Sequence, residues 1–86
     1  MDEVVTVEYD PRWQIMFAEE ATRIWQVLGS DLVVEIEHIG STAITGLAAK
    51  PVIDIMVGVR SLEDAKQAIP VLEALGYVQI HLCTLP

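Results

Sequence analysis

The chain has 86 residues, thirteen acids against five bases, a net charge of −8 and an apolar fraction of 52%. That apolar content excludes a disordered chain, and the length limits it to one domain burying roughly 60–65% of its unfolded surface. The acidity argues against nucleic acid as a partner, because such ligands need a basic stripe that neutralises several phosphates.

A single cysteine, Cys83, excludes an intrachain disulfide, and no CxxC or His-rich set suggests zinc. The acidic N-terminus does not read as a secretory signal, and no apolar run approaches the roughly 18 residues of a membrane helix. A cytoplasmic protein without membrane contacts is expected. The charge is unevenly spread: nine acids lie in residues 2–37, whereas between His38 and Ser61 one acid, Asp54, meets two bases, Lys50 and Arg60. That stretch tolerates a small anion.

Val4 to Tyr9 alternates weakly, as a short strand or extended arm would. Asp10-Pro11 reads as a helix start, with Asp10 as N-cap and Pro11 at the first helical position. Trp13, Phe17, Ala21, Ile24 and Leu28 recur at helical spacing, Met16 and Trp25 widen the stripe, and Gly29 supplies the stop. Leu32 to Ile39 is β-branched and reads as a strand; period two puts Val34, Ile36 and His38 on one face and Val33, Glu35, Glu37 and Ile39 on the other.

A loop follows over Gly40–Lys50, with room for one helical turn. Pro51 leads into Val52–Val59, a strand apolar enough to be covered on both faces. Ser61 with Asp64 opens a second helix whose stripe is Leu62, Ala65, Ile69, Leu72 and Leu75; Pro70 should kink or split it, and Gly76 should end it. Tyr77–Leu82 reads as a last strand. The order predicts a small α/β (α+β) structure over residues 1–86, a mixed sheet with helices packed on it.

Chemistry concentrates between Glu37 and Val57. Asp54 sits within VIDIMVGV, where a carboxylate loses hydration unless a cation, a metal ion or several hydrogen-bond donors compensate. A structural Asp held by backbone donors remains the alternative. Gly40-Ser41-Thr42 ends a strand, where a glycine admits close backbone approach and N–H and hydroxyl groups can cradle an anion; an ordinary capped turn has the same composition. Lys50 can face a phosphate or neutralise Asp54. His38 is a candidate base or anion donor, or a satisfied half-buried ring. Glu37 and Glu35 are candidates for a second carboxylate or a solvated strand face.

The pairing of Gly40-Ser41 with Asp54, twelve residues apart, resembles the signature of polymerase-β-type nucleotidyltransferases. There a Gly-Ser turn holds nucleotide phosphates, and paired acids hold a divalent metal such as Mg²⁺ for phosphoryl or nucleotidyl transfer. The second acid of that pattern falls at Met56, and a thioether does not bind Mg²⁺, which takes oxygen ligands.

A longer string is more specific. Tyr9-Asp10-Pro11-Arg12-Trp13, Glu37-His38-Ile39-Gly40-Ser41-Thr42-Ala43, Gly46-Leu47-Ala48-Ala49-Lys50-Pro51-Val52-Ile53-Asp54-Ile55 and Leu75-Gly76-Tyr77 together resemble the GrpB family. The resemblance implies a nucleotidyltransferase-like fold, of which this chain is the N-terminal half. It also implies kinship with members fused to dephospho-CoA kinase, and a site at Gly40, Ser41, Lys50 and Asp54, with Asp54 as the catalytic and metal-binding residue. The family pattern continues past Val78 where this chain departs from it, so the chain reads as a C-terminally truncated member. Its last strand would leave an open edge suited to homo-oligomerisation. The implied ligand is a nucleotide or small phosphorylated molecule; the alternative is a non-catalytic binding or protein-interaction module in which the same residues are structural.

Overall fold

The computed structural model describes residues 5–73 and 78–85. Helix α1 (Arg12–Leu32) begins as the sequence requires: Asp10 Oδ1 accepts the Arg12 N–H at 2.9 Å, and Pro11 already has helical angles. Gly29, at φ 74 and ψ 169, breaks the helix near its end. Trp13, Ile24 and Leu28 bury their side chains, with Met16 and Phe17 packed beside them.

Strand β1 (Val33–Ile39) differs from the simple alternation in one respect. Val33 pairs with Val59 but Glu35 pairs with Gly58, so a bulge at Val34 shifts the phase. Val33 therefore faces the core together with Ile36 and His38, while Val34, which simple alternation puts on their face, is 39% exposed. A 3-10 turn, Ser41–Ala43, opens the loop. Near its end Ala49 forms a two-bond bridge with Val7 of the N-terminal arm.

Strand β2 (Ile53–Val59) is central, antiparallel to β1 and parallel to β3 (Val78–Thr84), giving the order β1-β2-β3. Helix α2 (Leu62–Leu72) makes the crossover between the parallel strands, opened by the Ser61 hydroxyl accepting the Asp64 N–H. Pro70 lies in its last turn and α2 continues through it as one helix to Leu72 instead of splitting. Ala68 and Leu72 are buried, whereas Leu62 and Ile69 of the expected stripe are exposed. Gly76, Leu75 and Tyr77 lie outside the described residues.

Ile53, Ile55, Val57 and Val59 are at most 1% exposed and join Trp13, Ile24, Leu28, Ala68 and Leu72 in one core. Both helices thus cover the same sheet face. The other face carries Glu35, Glu37 and Ile39 of β1, Asp54, Met56 and Gly58 of β2, and Gln79, His81 and Cys83 of β3. Among the described residues, helices cover β2 on one face, whereas its composition predicts cover on both. Among the described residues, no helix is long and apolar enough to cross a membrane.

Candidate functional site

Gly40 ends β1 at φ 76 and ψ −170, a region essentially restricted to glycine. Its missing side chain has a second consequence. A Cβ built there would lie 2.8 Å from Asp54 Oδ2 and 3.4 Å from Asp54 Cγ. The glycine is therefore the seat of the Asp54 carboxylate.

Asp54 stands near the start of β2, opposite Ile39 on one side and Gln79 on the other. Its side chain is 26% exposed, because it points to the sheet face that the helices leave open. This explains how a carboxylate sits in so apolar a strand: odd positions make the core and Asp54 keeps part of its hydration. Asp54 Oδ1 lies 3.2 Å from His81 Nε2 of β3. Among the described residues, its side-chain hydrogen-bond partner is His81 and not Lys50.

A cleft of about 140 Å³ is lined by Ser41, Thr42, Lys50, Val52, Asp54 and Gln79. Three separate segments supply it: the turn after β1, the approach to β2 with Asp54, and the start of β3. The structure thus brings together Ser41, Thr42, Lys50 and Asp54, with Gly40 against the carboxylate.

Thr42 lines the cleft differently from its neighbours, and His38 and Glu37 lie outside it. Thr42 is 1% exposed, and its hydroxyl donates to the Val52 carbonyl at 3.0 Å, so its wall of the cleft does not offer a free hydroxyl. His38 Nε2 lies 3.0 Å from the same hydroxyl; since Thr42 has spent its one proton, the ring nitrogen is the donor. His38 Nδ1 lies 3.3 Å from the Gln14 amide oxygen, and its ring stacks on Phe17 at 4.8 Å. Burial lowers the His38 pKa below the ordinary imidazole value, with the charge of Asp54 opposing. His38 faces α1, on the opposite side of the sheet from Asp54. Glu37 lies opposite Met56 on the open face, where its hydrogen bond and charge raise the Glu35 carboxyl above the ordinary value.

His81 is the residue that sequence reasoning missed. The alternation Gln79, His81, Cys83 against Ile80 and Leu82 is visible in the sequence. What brings His81 to Asp54 is the parallel register between β2 and β3, 27 residues apart. Among the described residues, no three His, Cys, Asp or Glu side chains assemble as a metal site.

The model of the family described as GrpB protein matches residues 3–84. The chain belongs to the GrpB family. A UPF0157 protein of Halalkalibacterium halodurans is 46% identical over 74 residues, covering 86% of this GrpB-family chain and 37% of that protein. The glutamate-rich protein GrpB of Alkalihalophilus pseudofirmus is 42% identical over 65 residues, 76% of this chain and 37% of its own length. A dephospho-CoA kinase of Mycobacterium tuberculosis is 36% identical over 81 residues, 91% of this chain but 20% of the kinase. The crystal structure of GrpB from Enterococcus faecalis matches with a TM-score of 0.82 at 28% identity, covering 93% of this chain and 61% of that one. The chain thus spans less than two-fifths of the length of these curated relatives.

Proposed function

We propose that this GrpB-family chain binds a nucleotide or small phosphorylated ligand in the cleft between Ser41, Lys50, Asp54 and Gln79. The observation that carries the reading is the convergence of a hydroxyl, an ammonium, a carboxylate and an amide from separate segments on one cleft, with Gly40 seating the carboxylate. Lys50 offers a point charge for phosphate, and Ser41 and Gln79 offer hydrogen-bond donors.

Asp54 would repel a bare phosphate. Mg²⁺ removes that difficulty, since it is commonly held by one or two carboxylates together with substrate phosphates and water. One carboxylate with a neighbouring hydroxyl and amide oxygen fits a cation that arrives with its ligand. The thioether of Met56, in place of a second acid, does not fit a resident pair of hard cations. The layout resembles the N-terminal half of a polymerase-β-type nucleotidyltransferase fold, and on that likeness Asp54 is the residue that would serve a transfer reaction.

Calorimetry with ADP and ATP, with and without Mg²⁺, tests the reading. Binding that needs Mg²⁺ and is lost in Asp54→Asn and weakened in Lys50→Ala is expected. No binding by the unmodified chain, or equal binding by Asp54→Asn, would overturn it.

A second reading rests on the buried Thr42 hydroxyl, shared between His38 and the Val52 carbonyl. It makes the polar cluster structural and the chain a binding or protein-interaction module. Under it, Asp54→Asn leaves ligand affinity at zero throughout while Thr42→Val lowers stability. The open sheet edges at β1 and β3 suit self-association, and a monomer on sedimentation at high concentration would count against that.

A further inference from the structure

On the open face, further along β2 and β3 from the cleft, three side chains able to ligate a metal occupy neighbouring register positions. Met56 and His81 are register partners across β2 and β3, and Cys83 follows His81 by two residues on the same face. Cys83 Sγ lies 3.2 Å from Met56 Sδ. Gly58 is the register partner of Cys83, so β2 itself places no side chain opposite the thiol. The Leu85 side chain packs over Gly58 instead and gives this end of the face an apolar cover.

We propose that Met56, His81 and Cys83 form a binding site for a soft monovalent ion, Cu(I). Two features argue for that class. A thioether and a thiol are soft donors, suited to Cu(I) and unsuited to Mg²⁺ or Ca²⁺. Zinc sites draw on Cys, His and carboxylates, so the methionine distinguishes copper(I) from zinc.

His81 is also set up as a ligand. Its Nε2 faces Asp54 Oδ1 at 3.2 Å, and a metal-bound histidine typically gives its other ring N–H to a carboxylate. With Nε2–H held there, Nδ1 keeps the lone pair that a metal needs.

The sulfurs need little rearrangement. Metal–sulfur bonds of about 2.3 Å put two sulfurs on one ion about 3.8 Å apart. The present hydrogen-bonded pair therefore opens by well under 1 Å, through side-chain torsions of the unbranched Met56. On binding, the Cys83 thiol proton leaves to solvent and two metal–sulfur bonds and one metal–nitrogen bond form. No electron is transferred, and the thiolate neutralises the ion.

The site shares Asp54 with the cleft but not its ligands, so the two proposals stand or fall separately. Under anaerobic conditions the chain is titrated against the Cu(I) complex of bicinchoninate. Withdrawal of one copper per chain is expected, with none withdrawn by Cys83→Ser, and with affinity reduced about tenfold or more by Met56→Leu and by His81→Gln. Lys50→Ala should bind copper as the unmodified chain does. No withdrawal by the unmodified chain, or undiminished affinity in either Met56→Leu or His81→Gln, would overturn the three-ligand site. Alkylation by iodoacetamide needs no variant: one equivalent of Cu(I) should slow modification of Cys83, and an unchanged rate would also overturn the proposal.

Discussion

Gly40→Ala separates the two demands placed on that position. The backbone demand is strain: φ 76 with ψ −170 disfavours any side chain by about 1–3 kcal/mol. The contact demand is steric, because the new methyl would stand 2.8 Å from Asp54 Oδ2, at least about half an ångström inside ordinary contact. Relieving it turns the carboxylate off its rotamer, which costs about 0.5–1.5 kcal/mol. The turn also gives up the partly exposed contact with His81, worth about 0–1 kcal/mol.

Gly29 provides the control. It has nearly the same angles, φ 74 and ψ 169, and nothing within 4 Å of its added Cβ. Gly29→Ala should therefore show strain alone, and Gly40→Ala should exceed it by about 1 kcal/mol. Urea denaturation followed by tryptophan fluorescence measures both. In a double-mutant cycle, Asp54→Ala should remove about 1 kcal/mol of the cost of Gly40→Ala and none of the cost of Gly29→Ala. If Gly40→Ala costs as much beside Ala at position 54 as beside Asp, the seating argument is refuted.

Other outcomes follow from the same geometry. Thr42→Val leaves the Val52 carbonyl and His38 without their shared hydroxyl and should cost about 1–3 kcal/mol. Thr42→Ser keeps the hydroxyl and should cost about 0.8 kcal/mol; urea midpoints in the reverse order would contradict the network. Burial lowers the folded-state pKa of His38, so its contribution is complete above the ordinary value of about 6.5 and is lost as pH falls through the folded pKa. Denaturation from pH 7.5 to 5 should show this decline flattened in His38→Gln, and an identical profile would argue against it. Ile55→Ala, at a position with 0% exposure, should cost about 2–5 kcal/mol, a large part of the roughly 4–13 kcal/mol expected at this length. A thermal midpoint moved by less than about 5 °C would show that the strand repacks.

Much of the architecture was legible because local rules decide it. Asp10-Pro11 starts α1 and Gly29 breaks it, since a capping carboxylate and a positive φ are needed where they stand. Ser61 caps α2 for the same reason. Readings failed where neighbours decide, as in β1 and β2 and for Leu62 and Ile69 of the α2 stripe. Period two cannot show a bulge, and the bulge at Val34 places Val33 inside with Ile36. The apolar run of β2 did not reveal that one sheet face stays open, because composition cannot say how many layers a strand receives.

The candidate site divides along the same line. The resemblance to the GrpB family nominated Gly40, Ser41, Lys50 and Asp54 together; residue chemistry alone singled out the interior carboxylate, because the glycine turn shares its composition with an ordinary capped turn. Only the tertiary structure assigned their neighbours. It gave Asp54 a partner in His81, spent the Thr42 hydroxyl on His38 and Val52, turned His38 toward α1, and set Met56 beside Cys83. The physical reason is strand pairing. Cross-strand contacts depend on register between segments up to 27 residues apart, and burial of the alternate face of β2 selects that register across the whole sheet.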